Sequence, residues 1–164
     1  MSYEIFDTEA ALTLNEILEA QRKLSEKLGK TLPQSYIDFL LVNNGGRIRP
    51  DLFNIKWAEQ EWADGEDVDM LDGMFSIYDD DGMNLIEANT IGYNDRIPAD
   101  TLAIGQNSGR SLILIGIGES NLGQIFYWHG EYEKDEDDES LPDYYNVGFV
   151  ANTLSAFLDG LYEG

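Results

Sequence analysis

The sequence predicts an α+β fold, in which two N-terminal helices and one C-terminal helix pack on one face of an antiparallel sheet of about five to six strands. Residues 13–28 show the apolar period of a helix, and residues 152–161 show it again at the C-terminal end. Between them, residues 97–129 contain short apolar runs separated by turn residues. The length and apolar content are those of one domain, residues 1–164.

The central part of the predicted sheet is a meander of antiparallel strands. Its three apolar runs are Thr101–Ile104, Ser111–Ile115 and Gln124–His129, and Gly, Asn and Ser residues separate them. Leu112–Ile115 is apolar at every position, whereas a strand with one solvated face alternates. We therefore expect both faces of the middle run to be buried, which makes it the central strand.

The helix boundaries are predicted from capping residues. Thr13 is suited to cap the first helix, with Glu16 completing a capping box, and Gly29 to end it. Pro33 fits the first turn of the second helix, where its missing N–H costs nothing. Asn152 is predicted to cap the last helix.

The remaining segments are predicted as strands, turns and acidic loops. Alternation predicts strands around Phe53–Trp57, Met74–Tyr78 and Tyr145–Phe149, and one or two helical turns are expected at Asn84–Asn89. Residues 1–12 show no periodicity. The strongly acidic segments 59–72 and 130–139 are predicted to be surface loops, the first with a frayed helix as the alternative.

The charge of the chain restricts its partners. There are 32 acidic and 10 basic residues, so the formal net charge is −22. Such a surface repels nucleic acid and anionic membranes, and it attracts basic partners. Solubility, or adaptation of a proteome to salt, is the alternative explanation.

Several classes of protein are disfavoured by what the sequence lacks. Cysteine is absent, which excludes disulfides, thiolate metal sites and cysteine nucleophiles. No apolar stretch has the length of a membrane span, and the start of the chain does not resemble a signal peptide. These observations predict a cytoplasmic location.

The candidate partner-binding residues are acidic side chains of two loops and exposed aromatic residues. Because Tyr127 and Trp128 are adjacent in a strand, they point to opposite faces, and at most one is expected to face the core. Aromatic anchors dominate the energetics of many interfaces. The candidates are Trp62, Asp79, Asp80, Asp81, Trp128, Glu131, Glu133, Asp135, Glu136, Asp137 and Asp138.

No catalytic residue, cofactor or metal site is predicted. His129 is the only histidine, and a lone histidine at a strand end more often packs than acts as a general base. Asp67–Gly73 and Asp79–Gly82 fail the spacing of a calcium-binding EF-hand loop. Gly116–Gly118 lies between two strands, so a hairpin turn is a better interpretation than a phosphate-binding loop. A hydrolase of unrecognised type stays open as an alternative.

Four segments, in this order and spacing, resemble the SUKH superfamily, which contains the yeast cell-wall assembly regulators of the Smi/Knr type. The first is an amphipathic helix that leads into an Asn-Gly-Gly turn, the middle two belong to the meander, and the last is the C-terminal helix. They are Leu32–Leu40 with Asn44–Gly46, Ile97–Pro98 with Leu102–Gly105, Ile113–Ile115 with Gly123–Trp128, and Val150–Leu158.

The resemblance implies an α+β fold without enzymatic activity. It further implies an immunity protein that binds and neutralises a cognate polymorphic or contact-dependent toxin, and many such toxins are nucleases. The alternative is an intracellular regulatory scaffold that binds endogenous proteins. The acidic charge is compatible with a basic nuclease partner. The resemblance assigns no role to any residue of the acidic loops.

Overall fold

The computed structural model describes residues 3–57, 67–77, 84–93, 95–133 and 143–164. The helices are α1 (Leu14–Leu28), α2 (Gln34–Val42), α3 (Leu85–Glu87) and α4 (Leu154–Asp159). The strands are β1 (Glu4–Phe6), β2 (Arg47–Arg49), β3 (Leu52–Asn54), β4 (Val68–Met70), β5 (Gly73–Met74), β6 (Thr101–Gln106), β7 (Leu112–Gly116), β8 (Ile125–Trp128) and β9 (Val147–Ala151). A π-helical turn (Ala88–Gly92) continues α3, and a 3-10 turn (Gly130–Tyr132) follows β8.

The main sheet has five antiparallel strands in the order β5-β6-β7-β8-β9. β7 is therefore the central strand, and all of its residues are buried. Leu114 pairs with Ala103 of β6 on one side and with Phe126 of β8 on the other. The α+β prediction and the position of the middle run are confirmed.

Two small sheets flank the main one. β1 pairs with β2, and β3 pairs with β4, in both cases antiparallel. Single bridges connect them to the main sheet, from Gly46 to Met74 and from Lys56 to Phe149. The expectation that the whole of 59–72 is loop or frayed helix is wrong for β4. The extended conformation there is stabilised by hydrogen bonding to β3 rather than by local propensity.

The caps of the helices follow the prediction closely at α1 and less closely elsewhere. Glu16 N donates to Thr13 Oγ1 at 3.2 Å, and Thr13 N donates to Glu16 Oε1 at 3.0 Å, so the capping box is formed. Gly29 ends the helix with φ 69°. Pro33 is the N-cap of α2 rather than a residue of its first turn. The predicted cap of α4 is wrong by one residue, because Ala156 N donates to Thr153 Oγ1 at 3.0 Å.

A buried asparagine completes one edge of the main sheet. β5 has only two residues, so it leaves part of β6 without a neighbouring strand. Ala103 N donates to Asn89 Oδ1, and Asn89 Nδ2 donates to Ala103 O, both at 2.9 Å. The side-chain amide therefore makes the two hydrogen bonds that a strand residue would make there. Leu85 O accepts a further hydrogen bond from Asn89 Nδ2 at 3.0 Å, which ties α3 to this edge.

Candidate protein-binding surface

A groove of about 490 Å³ lies between α1 and α3, and we call it the acidic groove. Three carboxylates and one ammonium group line it. Its residues are Asn15, Glu16, Glu19, Ala20, Lys23, Ile77, Asn84, Ile86 and Glu87. The excess of carboxylates gives this surface a negative potential, which attracts the lysine and arginine side chains of a partner.

The α1 side of the acidic groove is formed by residues one helical turn apart. Glu16 and Glu19 are spaced three residues apart, so they lie on the same face of the helix. The capping box fixes Glu16, and Arg22 Nε donates to Glu19 Oε2 at 3.0 Å. This hydrogen bond lowers the pKa of Glu19 below its ordinary value, so the carboxylate stays charged.

The other side of the acidic groove is formed by α3 and the residues before it. Asn84 caps α3, because Ile86 N donates to Asn84 Oδ1 at 2.8 Å. The cap places Glu87 on the groove. Ile77 and Asn84 both line the groove, and they flank segment 78–83. The predicted binding residues Asp79, Asp80 and Asp81 belong to that segment, which lies outside the described residues.

The aromatic residues of β8 are not exposed, and the prediction that one of them faces solvent is wrong. Tyr127 is 2% exposed and Trp128 is fully buried. The ring of Phe53, from β3, lies 5.8 Å from that of Tyr127, and Tyr93 packs edge-on against Trp128 with ring centroids 5.6 Å apart. Distant segments thus cover both faces of β8, and Trp128 does not offer an exposed anchor.

In the second acidic loop, residues 130–139, the described residue Glu133 makes an ion pair within the fold. Arg96 donates two hydrogen bonds to Glu133, from Nε at 2.7 Å and from Nη2 at 2.8 Å. Glu131, in the 3-10 turn, is exposed. The other predicted binding residues lie outside the described residues; they are Trp62, Asp135, Glu136, Asp137 and Asp138.

His129 is a packing residue in this fold. Its ring lies 4.7 Å from that of Tyr132 and 6.3 Å from that of Trp57, measured between ring centroids. Asn146 Nδ2 donates to its backbone carbonyl at 2.9 Å. Within the described ranges, no group of three His, Asp or Glu side chains has the arrangement of a metal site.

Residues 11–160 match the model of the SMI1/KNR4 family (SUKH-1). The chain belongs to this family. The match includes all four helices and the five-stranded sheet, and it leaves out β1. No curated protein and no solved structure gave a significant match.

Membership of the SUKH-1 family determines the broad class of the protein. The family is of the toxin-immunity type, its members are associated with binding protein toxins, and it is generally non-catalytic. Among the described residues, no helix is both long enough and apolar enough to cross a membrane.

The acidic groove itself is not predicted by the sequence. The sequence predicts only that Glu16 completes the capping box of the first helix. That role is local, whereas the groove exists because α3 with Glu87 packs beside α1. This packing brings together residues that are far apart in the chain, which no local pattern indicates.

Proposed function

We propose that this chain is a cytoplasmic, non-enzymatic immunity protein that neutralises a cognate polymorphic or contact-dependent toxin, with a basic nuclease domain as its target. The observation that carries the proposal is the family match over residues 11–160, since the family is of the toxin-immunity type. Inhibition by direct binding requires no catalytic group, only a surface complementary to the toxin.

The charge of the chain supports a basic target. A nuclease holds the phosphates of its substrate with lysine and arginine side chains, and an acidic protein can occupy the same cleft. The net charge of −22 accelerates the encounter, and the carboxylates of the acidic groove offer acceptors in place of phosphate oxygens.

Asp79, Asp80 and Asp81 are proposed to contact the toxin, and the two residues that flank segment 78–83, Ile77 and Asn84, both line the acidic groove. Replacing the three aspartates by asparagine should slow association with the toxin and flatten its salt dependence. If both the affinity and its salt dependence were unchanged, the three aspartates would not take part in toxin binding.

The second acidic loop needs a deletion that spares its structural contact. Removing residues 134–139 takes away Asp135, Glu136, Asp137 and Asp138 but keeps the Arg96–Glu133 pair. If this loop binds the toxin, the deletion weakens binding while the thermal stability stays close to that of the parent. If the parent and the deletion variant bind the toxin with equal affinity, residues 134–139 do not contribute to binding.

The proposal as a whole is tested by coexpression. The gene beside the one for this chain should encode a large secreted protein with a toxic C-terminal domain, and that domain is expressed in a host with and without the chain. We expect rescue of growth and a complex of the two purified proteins on gel filtration. An unrelated protein of similar negative charge is the control, and it should not rescue. Failure of both rescue and complex formation would instead favour a regulatory scaffold.

A further inference from the structure

A second groove, of about 800 Å³, lies between β1, α2 and α4, away from the acidic groove. Most of its lining is apolar, and we call it the apolar groove. Its principal apolar residues are Tyr3, Ile5, Phe6, Phe39, Val42 and Leu158. The groove therefore combines residues from both ends of the chain.

The walls of the apolar groove are exposed, although its floor belongs to the core. Phe39 and Leu158 are buried, whereas Phe6 is 38% exposed and Val42 is 79% exposed. β1 is held in position by pairing of Ile5 with Ile48 of β2. A concave surface with exposed apolar walls and a buried floor is typical of a protein interaction site.

The polar part of the apolar groove is acidic. Glu4 and Asp38 line it, whereas the guanidinium of Arg49, which lies 5.6 Å from the ring centroid of Phe6, pairs with Asp51 and is not among the lining residues. Asp159 directly follows the lining residue Leu158, and burial, together with the charge of Asp159, raises the pKa of Tyr3 above its ordinary value. Apolar walls with carboxylates at the rim fit a segment in which apolar side chains are flanked by basic ones.

We propose that the apolar groove docks an apolar segment of the toxin, and that lysine or arginine side chains flanking this segment contact Glu4 and Asp38. The inference rests on the proposed function. The exposed walls of the apolar groove, Phe6 and Val42, provide the apolar anchor that the buried Trp128 does not. A second copy of this chain is disfavoured as the occupant, because it would bring another net charge of −22 to a rim that is itself acidic.

The first experiment uses synthetic peptides as probes. A fluorescent peptide composed of leucine and lysine is titrated with the protein, and a peptide with glutamate in place of lysine is the charge control. The peptide with lysine should bind, and Val42→Ser should weaken its binding about fivefold through lost apolar contact. Ile91→Ser is the matched control, because Ile91 is 75% exposed and does not line the apolar groove. It should leave the affinity unchanged.

The rim is tested in the same titration. Glu4→Gln combined with Asp38→Asn should weaken binding of the peptide with lysine and reduce its salt dependence. Glu119→Gln combined with Glu163→Gln, which removes two exposed carboxylates outside the apolar groove, is the control for a change in net charge alone. Equal effects of the groove variants and their controls would overturn the proposal, because binding would then depend on the overall charge only.

The toxin domain is the second probe, and it separates this inference from the proposed function. Weaker toxin binding by Val42→Ser but not by Ile91→Ser supports the inference. Toxin binding that is identical in both variants and in the parent overturns the apolar groove as the site and leaves the immunity function intact. A concentration-dependent dimer that Val42→Ser abolishes would assign the groove to a second copy and would also overturn the inference. Absence of any toxin binding by the parent chain is the distinct result that overturns the proposed function.

Discussion

Arg96 and Glu133 form a bidentate ion pair that fixes the segment after β8 against the main sheet. The two hydrogen bonds measure 2.7 and 2.8 Å, and the guanidinium also lies over the ring of Trp128, 5.6 Å from its centroid. The same guanidinium lies over the ring of Tyr93, 4.8 Å from its centroid. The planar guanidinium thus uses its edge for the carboxylate and its face for the two rings, a combination that lysine cannot reproduce.

Arg96→Met should lower the free energy of unfolding by about 1–2 kcal/mol, because it removes a partly exposed bidentate pair and two cation–π contacts. Urea denaturation of the parent and the variant measures the difference. Arg22→Met is the matched control, since Arg22 pairs with two glutamates on an exposed face of α1. Its cost should be smaller than that of Arg96→Met, because both of its ion pairs are exposed to solvent. A larger loss at Arg22 than at Arg96 would contradict the stabilising role of the pair with Glu133.

Lys30→Met should stabilise the protein at neutral pH by about 1 kcal/mol. Lys30 is only 6% exposed, and its Nζ has no hydrogen-bond partner among the described residues. Burial lowers the pKa of Lys30 below its ordinary value of 10.5, although the nearby Asp100 and Asp95 act in the opposite direction. The charged lysine therefore costs stability in the folded state.

The gain from Lys30→Met should depend on pH. Between the lowered pKa of the folded state and 10.5, the unfolded chain binds more protons at this position, so the stability of the parent rises with pH. The penalty is complete below the folded pKa and disappears above 10.5, and the advantage of methionine shrinks accordingly. Urea denaturation at neutral and at alkaline pH measures this. Lys27→Met, on the exposed face of α1, is the control; a similar gain there would exclude burial as the cause.

Gly148→Ala should lower the free energy of unfolding by about 1–3 kcal/mol through overpacking. A Cβ at Gly148, in β9, would lie 2.3 Å from Ile55 Cγ2 and 3.0 Å from Cε3 of Trp57. The main chain of β9 must therefore approach the segment after β3 without a side chain between them. Thermal denaturation of the parent and the variant measures the loss. Gly109→Ala is the control, because a Cβ at Gly109, in the exposed turn before β7, meets nothing closer than 3.5 Å, and this variant should be nearly neutral.

Glu16→Gln combined with Glu87→Gln should slow association with the toxin about twofold to tenfold at low salt, because two carboxylates of the acidic groove are removed. Glutamine at position 16 can still accept the hydrogen bond of the capping box, so the helix should be retained. Stopped-flow measurements at several salt concentrations test this. Glu119→Gln combined with Glu163→Gln changes the charge equally at other positions, and an equal slowing there would exclude a specific role of the groove.

The parts of the fold that were predicted correctly depend on local patterns. The capping box of Thr13 and Glu16 determines where α1 begins, and uninterrupted apolar character determines that β7 is central. The two-sided burial of β8 was not predicted, because Tyr93 and Phe53 come from segments far from it in the sequence. Alternation indicates which face a residue points to, but not whether another layer covers that face.

The two grooves of the candidate site were not predicted for the same reason, because each is formed by segments that are far apart in the sequence. β1 has three residues and was missed, since its pairing with β2 spans some forty residues of chain. Without β1, the apolar residue Phe6 has no reason to lie near Val42 and Leu158. The acidic segments were recognisable from composition alone, and composition carries no information on which carboxylates share a surface.

The side-chain amide of Asn89 limits how other proteins can bind to the main sheet. By occupying the free hydrogen-bonding groups of Ala103, it closes the part of the β6 edge that β5 does not reach. An unprotected edge of that kind invites strand addition and aggregation. Because Asn89 closes this edge, another chain cannot add a strand at Ala103. A partner that meets this part of the sheet would have to bind side chains, and surface side chains can be substituted while the hydrogen bonding of the sheet stays as it is.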